Sequence, residues 1–365
     1  MTTQTSHLVR RHVHIGWMPA YKPALLILLG AVALALPFFL KNFTVFQIAL
    51  CFVYAIAVLG LNLLIGYSGQ VSIGHGAFYA VGAYIAAILV SKFGVPYWAT
   101  IPIAAILCFV VGFLFGFPAL RLEGHYLALA TLALAIALPQ VLKHAQLESW
   151  TGGVQGIIIP KPVPPIDLPF SGRYDLPLGL VFDFKLTPDR WLYFFCGSVA
   201  VILFLVAQNL VAGRIGRALL ALRDHPVAAK AMGVNTARYK SLTFGISSMY
   251  TGIAGALSAV AVQYVAPDSF TFLLSLSLIV GCVIGGVTSI WGAVFGGVFI
   301  QFVPNVADEL SKAAPWAVYG VILILAMYVL PEGVAGLISS VRQRLAGRFG
   351  HALAGPAPKP ALDEI

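Results

Sequence analysis

The stretch FTVFQIALCFVYAIAVLGLNLLI, Phe43–Ile65, runs for twenty-three residues without Asp, Glu, Lys or Arg, and GYSGQVSIGHG, Gly66–Gly76, follows it directly. A bilayer core about 30 Å thick needs roughly 20 apolar residues as helix, so the first stretch has the length of a membrane span. The second carries no formal charge either, yet it is too rich in glycine and polar groups for plain lipid-facing helix. An apolar helix running into an uncharged, helix-breaking segment sets the expectation for the whole chain: helices in lipid, some of them interrupted.

Working outward, nine more stretches share the first pattern: Pro23–Leu40, Val71–Val90, Pro96–Pro118, His125–Leu142, Trp191–Val211, Ser241–Gln263, Phe270–Val287, Trp291–Val306 and Ala314–Pro331. None contains Asp, Glu, Lys or Arg. The 365-residue chain is 60% hydrophobic and 10% charged, against about 45–50% and about 25% in soluble domains, so it has too few charges to coat a water-facing surface. The expected fold class is an all-α integral membrane protein of about ten transmembrane helices, some broken at Gly-rich segments. The boundaries around residues 266–312 stay open, because the spans there are short. The apolar run after Arg10, Arg11 and Lys22 has no small-residue cleavage site before the next span, which points to a retained first helix rather than a signal peptide.

Charge sets the orientation. Ten crossings from a cytoplasmic N-terminus place fourteen basic and five acidic residues inside, and eight of each outside. The whole formal charge of +9 then falls on one face, which is the positive-inside pattern and puts the N and C termini in the cytoplasm. The basic balance therefore calls for no nucleic acid. The expected organisation is a cytoplasmic N-terminal segment over 1–22, a single transmembrane domain over 23–340, and a disordered cytoplasmic tail over 341–365. Within the domain, 143–190 is a Pro-rich external loop, expected as an ordered, non-helical cap, and 212–240 is the one sizeable internal loop, strongly basic.

Gly285-Gly-Val-Thr-Ser-Ile-Trp-Gly292 has the character of Gly66–Gly76, and the run from Ser72 resembles the run from Ser289 with one residue deleted. Paired Gly-interrupted segments point to a transport pathway; close helix packing through small residues is the alternative, as expected at Gly82, Gly116, Gly252, Gly255, Gly296 and Gly297. Candidate path residues are Asn62, Gln70, Ser72, His75, Thr131 and Ser289, each of which must find a polar partner because lipid offers none. For His75, Asn62 and Gln70 a purely structural hydrogen-bonding role stands beside the path role.

Absences narrow the function. No Gly-Lys dipeptide exists, so no GxxxxGK[ST] phosphate loop is present, and neither HExxH nor GxSxG occurs. No catalytic residue, metal site or cofactor is expected. Cys51, Cys108, Cys196 and Cys282 lie far apart inside apolar runs and read as buried small hydrophobes. The spans also lack the ionisable chains that usually bind a coupling ion. Uphill transport would need energy from another polypeptide, and the internal loop is where that partner would dock. There Gly216–Gly233 reads as a short helix, a break, and a second short helix capped by Asp224 and His225, begun by Pro226 and stopped by Gly233. Leu219, Leu222, Ala229 and Met232 form its expected apolar face, which suits a protein partner or an anionic lipid surface.

This loop resembles the coupling segment of ABC-importer permeases in Ala228-Ala229, three residues, then Gly233, with Val227 where the wider motif has glutamate. GYSGQVSIGHGAFYAVGAY (66–84), LRLEGHYLALA (120–130), Thr151–Gly156, Gly216–Gly255 and Pro331–Gly336 resemble, in order from about residue 40 to 340, the permease subunits of branched-chain (hydrophobic) amino-acid ABC importers. The resemblance implies a permease fold like that of cobalamin- and ribose-type importers in a bacterial inner membrane. It implies a second homologous permease, two cytoplasmic ATP-binding subunits and a periplasmic substrate-binding protein as partners. Arg217, Arg223, Asp224, Ala228, Ala229 and Gly233 would then couple to the ATPase, the Gly66–Gly76 break would border the path, and the external loop would help receive the binding protein. Relatives serve urea, short amides and aromatic acids as well as leucine, isoleucine and valine. A stand-alone secondary carrier or channel is the competing class.

Overall fold

The computed structural model describes residues 21–119, 125–164, 173–175, 181–183, 186–310, 312, 314–330 and 333–341. Most of the expected N-terminal segment, the tail from 342, residues 120–124 and much of 165–185 lie outside them. The described chain is largely helical: α1 Tyr21–Phe39, α2 Asn42–Asn62, α3 His75–Phe93, α4 Tyr97–Ala119, α5 His125–Leu142, a single turn α6 Glu148–Thr151, α7 Pro188–Ala212, α8 Arg214–Asp224, α9 Pro226–Ala231, α10 Thr236–Val262, α11 Phe272–Gly285, α12 Gly292–Leu310 and α13 Pro315–Val329. A last helix, α14, covers 333–341.

All ten apolar stretches are helical. Among the described residues seven helical segments are long and apolar enough to cross a membrane, namely α2, α3, α4, α7, α10, α11 and the run 317–341; α5 with the bent turn after it makes an eighth. The chain is a multi-pass membrane protein. The other two expected spans are α12, whose last turn carries Asp308 and Glu309, and α1, whose described apolar run is Gly30–Phe39. Boundaries moved where local chemistry is strong. Helix α3 begins at His75 rather than Val71, because residues 69–74 are unwound, and α7 begins at Pro188, with the Thr187 side chain accepting from Arg190 N.

Small side chains decide which helices sit at the centre. Helix α10, with Gly245, Ser247, Ser248, Gly252, Gly255 and four alanines on its buried surface, lies against α2, α3 and α4. A side chain at Gly255 would run into the Tyr79 carbonyl, and one at Gly82 into the Gly252 carbonyl, so α3 and α10 touch backbone to backbone. Helix α2 also receives α7, α11 and α12. Peripheral helices show the opposite pattern: α4 exposes Ile106, Val110 and Leu114, and α7 exposes Val201, Ile202 and Leu205. In lipid such an apolar surface costs nothing.

The Pro-rich loop after α5 is tied down by its described residues. Strand β1 (Ile157–Ile158) pairs antiparallel with β4 (Tyr264–Val265), β2 (Arg173–Asp175) pairs with β3 (Val181–Asp183), and Lys143 bonds Asp268 at 2.5 Å. The expectation of a non-helical cap is corrected at Ala145–Thr151, which is helical because His144 and Glu148 start successive turns and Gly152 closes them.

Candidate functional site

Helix α2 does not end cleanly. Leu63–Tyr67 adds a single π turn, after which Gly69 N and Gln70 N bond back to Ile65 O and Leu64 O. The chain then runs unwound to His75. Unwound backbone at membrane depth survives only where protein or a wet cavity satisfies it, and here protein does. Ile73 N donates to Thr131 Oγ1 at 2.9 Å, and Gly76 N to Ser275 Oγ at 3.0 Å. Gln70 Nε2 donates to Ser68 Oγ at 2.7 Å and to Lys240 O at 3.3 Å.

The histidine sits in a chain of bonds that assigns its tautomer. Ser247 Oγ donates its only proton to Gly60 O at 2.6 Å, so it accepts from His75 Nε2–H, also at 2.6 Å. His75 Nδ1 is then the acceptor for Ser72 Oγ at 3.0 Å. His75 is 1% exposed and every polar atom of its ring is used, so it works as a structural clasp between α3 and α10.

The second Gly-rich segment, 286–291, lies against the first. Asn62 Nδ2 donates to Ser289 O at 2.7 Å and Gly286 O at 3.3 Å, and Tyr67 Oη donates to Thr288 O at 2.9 Å. A Cβ on Gly66 would collide with the Val287 carbonyl, so only glycine lets the two backbones meet. The breaks are real, and at Gly66 the packing reading holds: the missing side chain lets the two breaks meet. An open cleft of about 460 Å³ lies beside this junction, lined by the 286–289 turn and, across from it, by Ala335, Gly336 and Ser339. Ser289 and Thr288 are the uncharged polar residues that line it on the turn side.

On the basic loop, α8 and α9 form an elbow broken at His225, with an apolar face in which Leu219, Leu222 and Ala229 are buried. Met232 corrects the expected face. It is 86% exposed, and Val227 is 83% exposed. Nor do Asp224 and His225 cap α9 by their side chains; Asp224 Oδ1 accepts from Arg223 Nε at 2.9 Å. Pro226 does start α9, and Gly233, at φ +85, does stop it. The Arg223 guanidinium also reaches back to Gly66 O at 2.7 Å.

A family model described as branched-chain amino acid transport system / permease component matches residues 43–330. The chain belongs to that family. The permease is 34% identical to the high-affinity branched-chain amino acid transport system permease protein LivM of Escherichia coli (strain K12), over 85% of this chain and 74% of that protein. It is 25% identical to the corresponding LivH of Salmonella typhimurium (strain LT2), over 78% of this chain and 91% of that protein. No solved structure matches it.

The permease thus brings Asn62 together with the Ser289 backbone and Ser72 with His75, while Thr131 holds the unwound backbone and Gln70 ties it to the start of α10. Asn62, Gln70, Ser72, His75 and Thr131 are all buried, whereas Ser289 is half-buried at the cleft. On the elbow Arg217, Asp224, Ala228 and Gly233 are exposed, Ala229 is buried, and Arg223 lies between. Sequence reasoning left Tyr67, Ser247 and Ser275 out of the site. The hydroxyls of 247 and 275 were visible as polar positions inside apolar spans; nothing local marked their partners, 172 and 199 residues away.

Proposed function

We propose that this permease is the membrane-spanning subunit of an ATP-driven ABC importer, passing branched-chain or other hydrophobic amino acids from a periplasmic binding protein to the cytoplasm. The observation that carries the reading is the similarity to LivM over most of both chains. In this reading the domain over 23–340 crosses a bacterial inner membrane ten times with both termini inside, in a fold like that of cobalamin- and ribose-type importers. It pairs with a second, LivH-like permease and with two ATPase subunits seated on the elbow around Arg217, Asp224, Ala228 and Gly233.

Two features of the molecule support it. The exposed Val227 and Lys230 on α9, exposed Met232 just after it, and exposed Arg217 on the helix before it offer apolar and basic groups together, the composition of a protein-docking surface. Apart from the Arg223 guanidinium, which is spent on the Gly66 carbonyl, the residues that join the two breaks are uncharged, which suits a zwitterion that must be released as well as bound, since an unpaired buried ion would hold one end too tightly. The junction residues Asn62 and Ser289, with Gln70, Ser72, His75 and Thr131 bracing the unwound segment, form the wall of the path, and the cleft beside Ser289 its inner mouth.

The test is reconstitution of the complete transporter in liposomes with radiolabelled leucine. Uptake should require ATP and the binding protein, with urea and benzoate arms defining the solute class. Flux through liposomes holding this chain alone, driven by membrane potential or a pH gradient, would replace the reading with a secondary carrier.

A further inference from the structure

We propose that Arg223 is the positioning residue through which movement of the cytoplasmic elbow reaches the broken membrane helix. The inference rests on the reading that α8–α9 docks an ATPase, and it gives Arg223 the opposite duty from the rest of that elbow: it faces inward.

Arg223 lies in the last turn of α8. Its Nη1 donates to the Gly66 carbonyl at 2.7 Å and its Nε to Asp224 Oδ1 at 2.9 Å, so the fork is held at both prongs. Gly66 belongs to the π turn that closes α2, where the chain leaves helical geometry and its carbonyls lose their regular partners. A cation at that end also meets the negative pole of the helix. The arm of the arginine lies flat on Gly69, which is at φ +70; a Cβ there would stand 2.9 Å from Arg223 Cγ. Contact along the arm and a short bond at its tip leave α8 little freedom to slide over the π turn.

The other side of the same turn carries the link onward. Tyr67 Oη holds Thr288 O, and Asn62, one residue before the turn, holds Ser289 O and Gly286 O. The six residues 62–67, the end of α2 and its π turn, therefore connect the elbow to the second break and to the cleft beside it. Protein N–H···O bonds lie at about 2.7–3.2 Å, and a contact near 3.6 Å is no longer one. A displacement of α8 by one or two ångströms must then either drag the Gly66 carbonyl or give up the bond. Meanwhile Val227 and Met232, exposed on and just after α9, remain free for a partner. One short element has a face for docking and a single inward arm for transmission. A guanidinium serves here because it holds two acceptors in fixed directions, which an ammonium does only in part.

The experiment uses the complete transporter in proteoliposomes, with ATP hydrolysis and radiolabelled leucine uptake measured together, and labelling of a cysteine at Thr288 followed with and without ATP plus vanadate. Arg223→Met is expected to assemble with the ATPases and hydrolyse ATP within about twofold of wild type, while leucine moved per ATP falls about tenfold or more, the scale of a lost charge-assisted hydrogen bond. The ATP-dependent change in Thr288→Cys labelling should disappear with it. Arg223→Lys should recover part of the coupling, and Arg214→Met, on the exposed start of the same helix, should leave leucine per ATP unchanged. Unaltered leucine per ATP in Arg223→Met overturns the proposal. So does failure of Arg223→Met to retain ATPase subunits while it remains folded and monodisperse, since Arg223 would then be a docking residue. If Met232→Glu retains the ATPases and wild-type uptake proceeds without ATP, the docking reading itself falls, and that outcome is distinct from either result at Arg223.

Discussion

Asn62→Ala tests whether the two breaks are held together by the bonds that join them. The substitution removes an amide that donates to Ser289 O at 2.7 Å and Gly286 O at 3.3 Å. Neither carbonyl is orphaned, because Gly292 N still donates to Ser289 O and Ser289 N to Gly286 O. The loss is therefore that of two net bonds, without a desolvation penalty. At about 1 kcal/mol each, less for the longer one, and with interhelical bonds in membranes averaging about 0.6 kcal/mol, the junction should weaken by about 1–2 kcal/mol. The Asn62 Oδ1 atom has no partner, so its removal offsets part of this and keeps the value toward the lower end. If the 286–291 turn opens locally, its open population rises about 5- to 30-fold, at tenfold per 1.4 kcal/mol. Ile290 is buried at 9% exposure, and the four native cysteines are buried as well. An Ile290→Cys reporter should consequently label with a small maleimide about 5- to 30-fold faster in the Asn62→Ala background, against little native signal. Equal labelling rates in the two backgrounds would show that packing alone holds the breaks together and would refute the reasoning.

Other outcomes follow from the same geometry. Gly255→Val should lower the melting temperature of the detergent-purified permease by the equivalent of about 1–3 kcal/mol or more, because its side chain enters the Tyr79 carbonyl; Gly320→Ala, with nothing within 4 Å of the new carbon, should raise it slightly. Ser247→Ala strands the His75 Nε2–H donor in a dry site and should cost about 1–3 kcal/mol in the same melt, whereas Lys143→Met, whose partner Asp268 is 64% exposed, should cost under about 1 kcal/mol. Gly233→Pro removes the Gly233 N bond to Lys230 O and forbids φ +85; ATP-driven uptake by the reconstituted complex should fall severely while the helix content seen by circular dichroism is retained.

Much of the architecture was legible in the residues. The ten apolar runs are all helices, because a run of about twenty apolar side chains has one low-energy form in lipid. The elbow was legible too, since Pro226 and Gly233 carry their instructions in their own covalent structure. What misled was orientation. Met232 fits an apolar periodicity with Leu219 and Leu222, but α9 is only six residues long and turns after His225, so its side chain ends in the open. Arg223 fits a basic, solvent-facing loop, yet its guanidinium is engaged with a membrane-helix carbonyl.

From its own order of residues this chain determined that it lies in a membrane, where its helices run and where they break. Each of these depends on neighbours within one or two turns of chain. The folded bundle alone decided that the break after Asn62 meets the one before Gly292, that His75 spends its ring on Ser72 and Ser247, and that one arginine of the elbow turns back to the π turn. Those partners stand between 157 and 227 residues apart, apart from the local Ser72 bond. Only the close approach of glycine-lined helices, a property of packing and not of periodicity, brings them within reach.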